Sequence, residues 1–118
     1  MTRTPFARPP APTAHDLKLW DALVEKALKS AERPDRGQDQ LRRAADRAYH
    51  ARIPIRERHR ESPFYHLVTL SRSWWAASAD AREILAPQLR AYAQAVAEIL
   101  NDPAGAEAGR RVLPPGDR

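Results

Sequence analysis

The stretch TAHDLKLWDALVEKALKSAERP, residues 13–34, decides the fold. Its apolar residues Leu17, Trp20, Leu23, Val24, Ala27, Leu28 and Ala31 recur at intervals of three and four. That spacing places side chains on one side of an α-helix. At about 100° per residue they fill half the circumference, with Leu19 at the edge. A stripe so broad suits a helix with two neighbours rather than one lying on a surface. Thr13 stands where an N-cap is needed, with Asp16 three residues on to close a capping box. Arg33-Pro34 ends the helix, because the residue before proline resists the α region.

Further along, Asp35 reads as the cap of a second helix, with Gln38 in the reciprocal position. The apolar face of that helix is thin: Leu41, Ala44, Ala45, Ala48 and Tyr49. Alanines admit a close neighbour but bury little, so the element depends on what packs against it, and a second copy of the chain could complete it as a homodimer. Ile53-Pro54-Ile55 breaks the pattern, and residues 56–61 form a charged connector. Ser62-Pro63 starts a third helix with a hydroxyl cap and proline at the first helical position. Phe64, Leu67, Val68, Leu70, Ser71, Trp74 and Trp75 follow as its apolar stripe. Ser78 caps a fourth helix running to Leu100, with Ala81, Ile84, Leu85, Leu89, Tyr92, Ala95, Val96 and Ile99 on one side. Pro87 within it removes one backbone hydrogen bond and is expected to kink or split it near Ala86.

No stretch alternates as a strand does, and three of the four glycines fall after residue 103. Pro5, Pro9, Pro10 and Pro12 make residues 1–12 an extended Pro-rich arm, and residues 103–118 read as a disordered tail. The expectation is one all-α domain over 13–102: a compact four-helix bundle with a kinked last helix and disordered Pro-rich tails.

Charge is distributed unevenly. Nine of the seventeen arginines lie between Arg33 and Arg60, against four acids, Asp35, Asp39, Asp46 and Glu57. Residues 13–32 carry three lysines against four acids, and residues 61–102 three arginines against five acids. The second helix groups Arg36, Arg43, Arg47 and His50 on its outer face. A positive face invites an acidic partner, and arginine favours bidentate capture of carboxylate or phosphate. Acids recur every few residues where phosphates would sit, and no helix-turn-helix with a short glycine-type turn is evident.

Other chemistries lack their residues. The absence of cysteine removes disulfides and thiolate metal sites. His15, His50, His59 and His66 form no HExxH, and no two of them lie four apart on one expected helix. Ser71 and Ser73 lie near His66 without a third, orienting acid. No glycine-rich phosphate loop and no G-x-S-x-G elbow occur. No apolar run approaches the ~20 residues of a membrane span, and residues 1–12 lack the apolar core of a secretory signal. The reading is therefore of a protein without catalytic residues, metal or cofactor. Trp74-Trp75 adds one more feature. Consecutive helical residues diverge by about 100°, so both are core only where the helix is covered on two sides; otherwise one stands out as a hydrophobic anchor.

These features point to a small helical adaptor or regulator that binds an acidic protein surface through Arg36, Arg43, Arg47, Arg56, Arg58 and Arg60, with Trp74 or Trp75 as anchor. The alternative is a basic helical DNA- or RNA-binding protein that sets the same arginines on phosphates with weak sequence specificity. A cytoplasmic location is expected. Seventeen arginines to three lysines, with abundant alanine, suggest a GC-rich bacterial genome.

Overall fold

Thr13 accepts the amide of Asp16 at 3.1 Å while the Asp16 carboxylate accepts the amide of Thr13 at 2.9 Å. The capping box expected from sequence thus opens the first helix, α1 (Ala14–Glu32). In a computed structural model that describes residues 11–54 and 57–102, α2 (Gln38–Tyr49), α3 (Pro63–Ser73), a 3-10 turn at Trp74–Ala76 and α4 (Ala79–Asn101) follow. Residues 1–10 of the extended arm and the tail 103–118 expected from sequence, and residues 55 and 56, lie outside the described residues. No strand occurs among the described residues. Both α1 and α3 pack against α2 and α4, so the four helices close around one core, a helical bundle as expected.

That core is built on Leu17, Trp20 and Leu23 from α1, Leu41 from α2, Phe64 and Leu67 from α3, Trp74, and Leu89, Val96 and Leu100 from α4. Trp20 meets Phe64 edge-on at 4.9 Å between ring centres. Its indole N–H donates to the carbonyl of Arg52 at 3.1 Å, which ties the segment after α2 to α1 and satisfies the polar end of a buried ring. Leu41, Ala44, Ala45 and Ala48 are all buried, with α1 and α3 closing over them. The thin alanine face is therefore filled within the chain. Tyr49, expected on that face, is exposed.

Two of the remaining starts match the sequence. Ser62 caps α3 by accepting the amide of Phe64 at 3.1 Å, and Ser78 caps α4 by accepting that of Ala81 at 3.1 Å. The start of α2 does not. Its N-cap is Gly37, at φ +74° and without a side-chain capping bond, so Asp35 and Gln38 form no box. The amide of Arg36 bonds the carbonyl of Arg33 at 3.0 Å, which makes residues 33–36 a turn. A left-handed residue then swings the chain into α2, and glycine does this without a Cβ penalty. Arg36 consequently lies in the turn and not on the outer face of the helix.

The fourth helix runs unbroken through Pro87, so it is not split. Pro87 is exposed, and water can satisfy the carbonyl that its missing N–H leaves. The buried side of α4 is Arg82, Ala86, Leu89, Ala93, Val96 and Leu100, rotated from the expected stripe. Ile84 is left 77% exposed, and Leu85, Tyr92 and Ile99 are only partly buried. Small residues at 86 and 93 allow close approach of the neighbouring helices, and the packed seam follows them rather than the bulkiest side chains.

Candidate interaction surface

Where α2 lies against α3, side chains from both helices interlock at the surface. Arg42 on α2 donates through Nη2 to Oδ1 of Asp39 at 2.7 Å, and its Nη1 is 3.9 Å from Asp46. Arg72 on α3 crosses the seam to donate through Nε to Oδ1 of Asp46 at 3.1 Å. Each guanidinium also covers an aromatic ring. Arg72 lies 4.2 Å from the ring centre of Tyr49, and Arg42 lies 5.5 Å from that of Trp75. The result is a continuous row, Trp75–Arg42–Asp46–Arg72–Tyr49. Tyr49 is 54% exposed and Trp75 56% exposed. Exposed ion pairs are each worth about 0–1 kcal/mol and exposed cation–π pairs about 0.5–1 kcal/mol. The row therefore orders its side chains more than it stabilises the fold.

The tryptophan pair separates, as the angular argument requires. Trp74 is fully buried, so it is unavailable as an anchor, whereas Trp75 faces out. The helix tightens into the 3-10 turn at this point, and only one side of it is covered. The indole N–H of Trp74 and the hydroxyl of Ser71 are buried with no hydrogen-bond partner among the described residues.

The arginines named from sequence do not form one free positive patch. Arg36 is 4.0 Å from Asp35, and Arg43 pairs with Asp39 at 3.0 Å. Arg58 donates through Nε to the carbonyl of Ile53 at 3.3 Å, and Arg56 lies outside the described residues. Arg47 and Arg60, joined by Arg52, are exposed and have no ion pair among the described residues. The aspartates at 35, 39 and 46 thus divide the cluster. The hydrogen bond from Arg42, with the charges of Arg42 and Arg43 assisting, holds the carboxyl of Asp39 below its ordinary range.

Sequence reasoning passed over Arg42, Arg72 and Tyr49 as functional groups, since the pairing joins residues 26 apart in the chain and no local spacing reports it. It also passed over Arg82. That side chain is 9% exposed and donates to the carbonyls of Pro34 at 2.8 Å, Trp74 at 3.4 Å, and Ala77. It gathers the α1–α2 turn, the end of α3 and the start of α4 at one point.

The histidines stand apart. His15 and His59 are exposed, and His50 meets Tyr49 edge-on at 5.1 Å. His66 stacks on Tyr92 at 5.1 Å, with Nε2 3.8 Å from Glu61. Among the described residues, no three of His, Asp and Glu gather closely enough to hold a metal ion. No helix among them is long and apolar enough to cross a membrane.

Comparison of the chain with protein-family models, with curated proteins and with solved structures finds no match.

Proposed function

We propose that this chain is a small helical adaptor, a binding protein rather than an enzyme, that docks an acidic protein surface against the α2–α3 seam. The carrying observation is the pair of half-exposed rings, Trp75 and Tyr49, each held under a guanidinium. Tryptophan, tyrosine and arginine are the residues enriched at the energetic centres of protein interfaces. Arg42 and Arg72 keep the rings in place before a partner arrives, which lowers the ordering cost of docking. Arg47, Arg52 and Arg60 bring uncompensated charge suited to carboxylates. A bacterial, cytoplasmic setting belongs to the same proposal and rests on the arginine and alanine bias of the composition.

The alternative, phosphate contact along a nucleic acid, draws on the same three free arginines. It is disfavoured by Asp39 and Asp46, which sit among the arginines of α2 where a phosphate backbone would run. Affinity capture with the full chain from its source cells, repeated with Trp75→Ala and with Arg47→Glu, separates the two. A defined protein held by the parent and lost with either variant supports the adaptor. A protein held equally by all three chains, or none in repeated captures, refutes it. Retention on random duplex at low salt, abolished by Arg43→Glu with Arg47→Glu, favours the alternative.

A further inference from the structure

The side of α4 turned away from the core carries an uncharged stripe. Its exposed residues Ile84, Pro87, Gln88 and Ala91 stand at i, i+3, i+4 and i+7, the spacing of a face about 100° wide that a second helix would cover. Ile84 is 77% exposed. Gln88, the polar member of the stripe, donates to the hydroxyl of Tyr92 at 3.1 Å. Single apolar residues on a surface need no explanation, but a run of them at helical spacing marks a contact.

The charges bordering the stripe say what fits it. Glu83 and Arg90 are both exposed, and neither has an ion pair among the described residues. Seven residues apart, they lie on the same flank but about 10 Å from each other along the axis, too far to pair. Two helices related antiparallel by a two-fold axis bring equal flanks together. With the axis between Ala86 and Pro87, Glu83 of each copy meets Arg90 of the other. Moving the axis one turn towards Leu100 would set Arg90 against itself, and one turn back would set Glu83 against itself. Pro87 adds to the fit. It has no N–H, so the carbonyl of Glu83 lacks its helical donor, and a guanidinium seated there has donors for both that carbonyl and the carboxylate.

We infer that α4 is a self-association surface: two copies of this chain pair antiparallel through Ile84, Pro87, Gln88 and Ala91, with Glu83 and Arg90 closing the flank. The occupant is a second copy because the border charges are of both signs and complement themselves. The inference does not depend on the α2–α3 seam. α4 packs chiefly on α1 and α3, so pairing through its outer side leaves α2 of each copy open and presents the seam twice. One helix laid on its copy makes a small interface, under about 1,200 Å² in total, and the association is correspondingly weak.

Sedimentation equilibrium of the full chain from about 10 μM to about 1 mM, the range of a weak interface, tests the inference. A reversible monomer–dimer equilibrium is expected. Ile84→Glu and, separately, Ala91→Glu, both at exposed positions, remove the dimer by burying two unpaired carboxylates. Glu83→Arg and Arg90→Glu each set like charges together and weaken it about tenfold. The two combined restore the parent's strength. Circular dichroism unchanged in the variants assigns the losses to association and not to unfolding. A chain that stays monomeric up to about 1 mM overturns the proposal. So does a dimer that both glutamate variants leave intact, or a charge-swapped double variant no stronger than the single ones. A monomer in which Ile84→Glu shifts the amide signals of residues 103–118 also overturns it, and gives the face to the chain's own end.

Discussion

Removing the guanidinium of Arg82 leaves three carbonyl oxygens, on Pro34, Trp74 and Ala77, without the donor they share. A bond to a charged donor contributes about 1.5–3 kcal/mol, so Arg82→Ala is expected to cost about 3 kcal/mol in urea unfolding. Lysine, with one ammonium in place of a fork, should recover only part of it; full recovery would show that the three bonds do not act together. Ser71 presents the reverse case. Its buried hydroxyl lacks a partner among the described residues, so Ser71→Ala is expected to leave stability unchanged or raise it by about 1 kcal/mol. The adjacent tryptophans should differ as sharply. Trp74→Ala empties a core site at a cost of about 3–5 kcal/mol, whereas Trp75→Ala should fall within about 0.5 kcal/mol of the parent while still losing the partner. Asp39 supplies a pH signature. Its carboxyl sits below its ordinary value of 3.8 because Arg42 donates to the ionised form. A carboxylate held low takes up its proton later than in the unfolded chain. Its contribution is therefore complete above the ordinary aspartate range and is lost as pH falls through the lowered value. Unfolding midpoints of Asp39→Asn should consequently fall less steeply than the parent's on the acid side.

At the scale of the helix, starts were legible wherever a hydroxyl did the capping. Thr13, Ser62 and Ser78 stand at three of the four starts because capping is a contact between residues two or three apart. The fourth start was misread as Asp35, since the favoured residue type was present but the chain had not yet finished turning. The informative residue was Gly37, set after Pro34-Asp35-Arg36 in a run typical of turns. At φ +74°, Gly37→Ala is expected to cost about 1–2 kcal/mol through backbone strain alone. The added methyl would only reach ordinary contact with Ser30. Asparagine tolerates the left-handed region better, so Gly37→Asn should cost less, and thermal unfolding of the two variants would expose a wrong assignment by reversing the order. The register of α4 was less legible. Its apolar residues are numerous enough to fill two overlapping stripes, and the choice between them depends on Ala86 and Ala93 meeting neighbours that a single helix does not contain.

For the molecule as a whole, electrostatics follows pairing more than composition. Residues 13–102 carry fifteen Lys and Arg against thirteen Asp and Glu, and much of the arginine excess is met by nearby aspartates. If the chain touches duplex DNA through α2 and the segment after it, Arg47, Arg52 and Arg60 are, among the described residues there, the exposed arginines without an ion pair and so free for phosphates. With about 0.9 log unit per neutralised phosphate, affinity should fall with salt on a log–log slope of about −3. A slope several times steeper would mean that the aspartate pairs open on binding and that the nucleic-acid reading outweighs the adaptor. Docking through Trp75 and Tyr49 should instead survive moderate salt, because burial of rings is not screened.

The amino-acid sequence by itself determined that there are four helices, where three of them start, and that arginine gathers in the middle third. Those properties follow from residues near one another along the chain, through helical periodicity, capping and simple counting. Only the tertiary structure decided which of two neighbouring tryptophans is core, which arginine is buried, and which guanidiniums remain free. Arg72 meets Asp46 across 26 residues and Arg82 meets Pro34 across 48, distances along the chain at which only the packing of whole helices brings partners together.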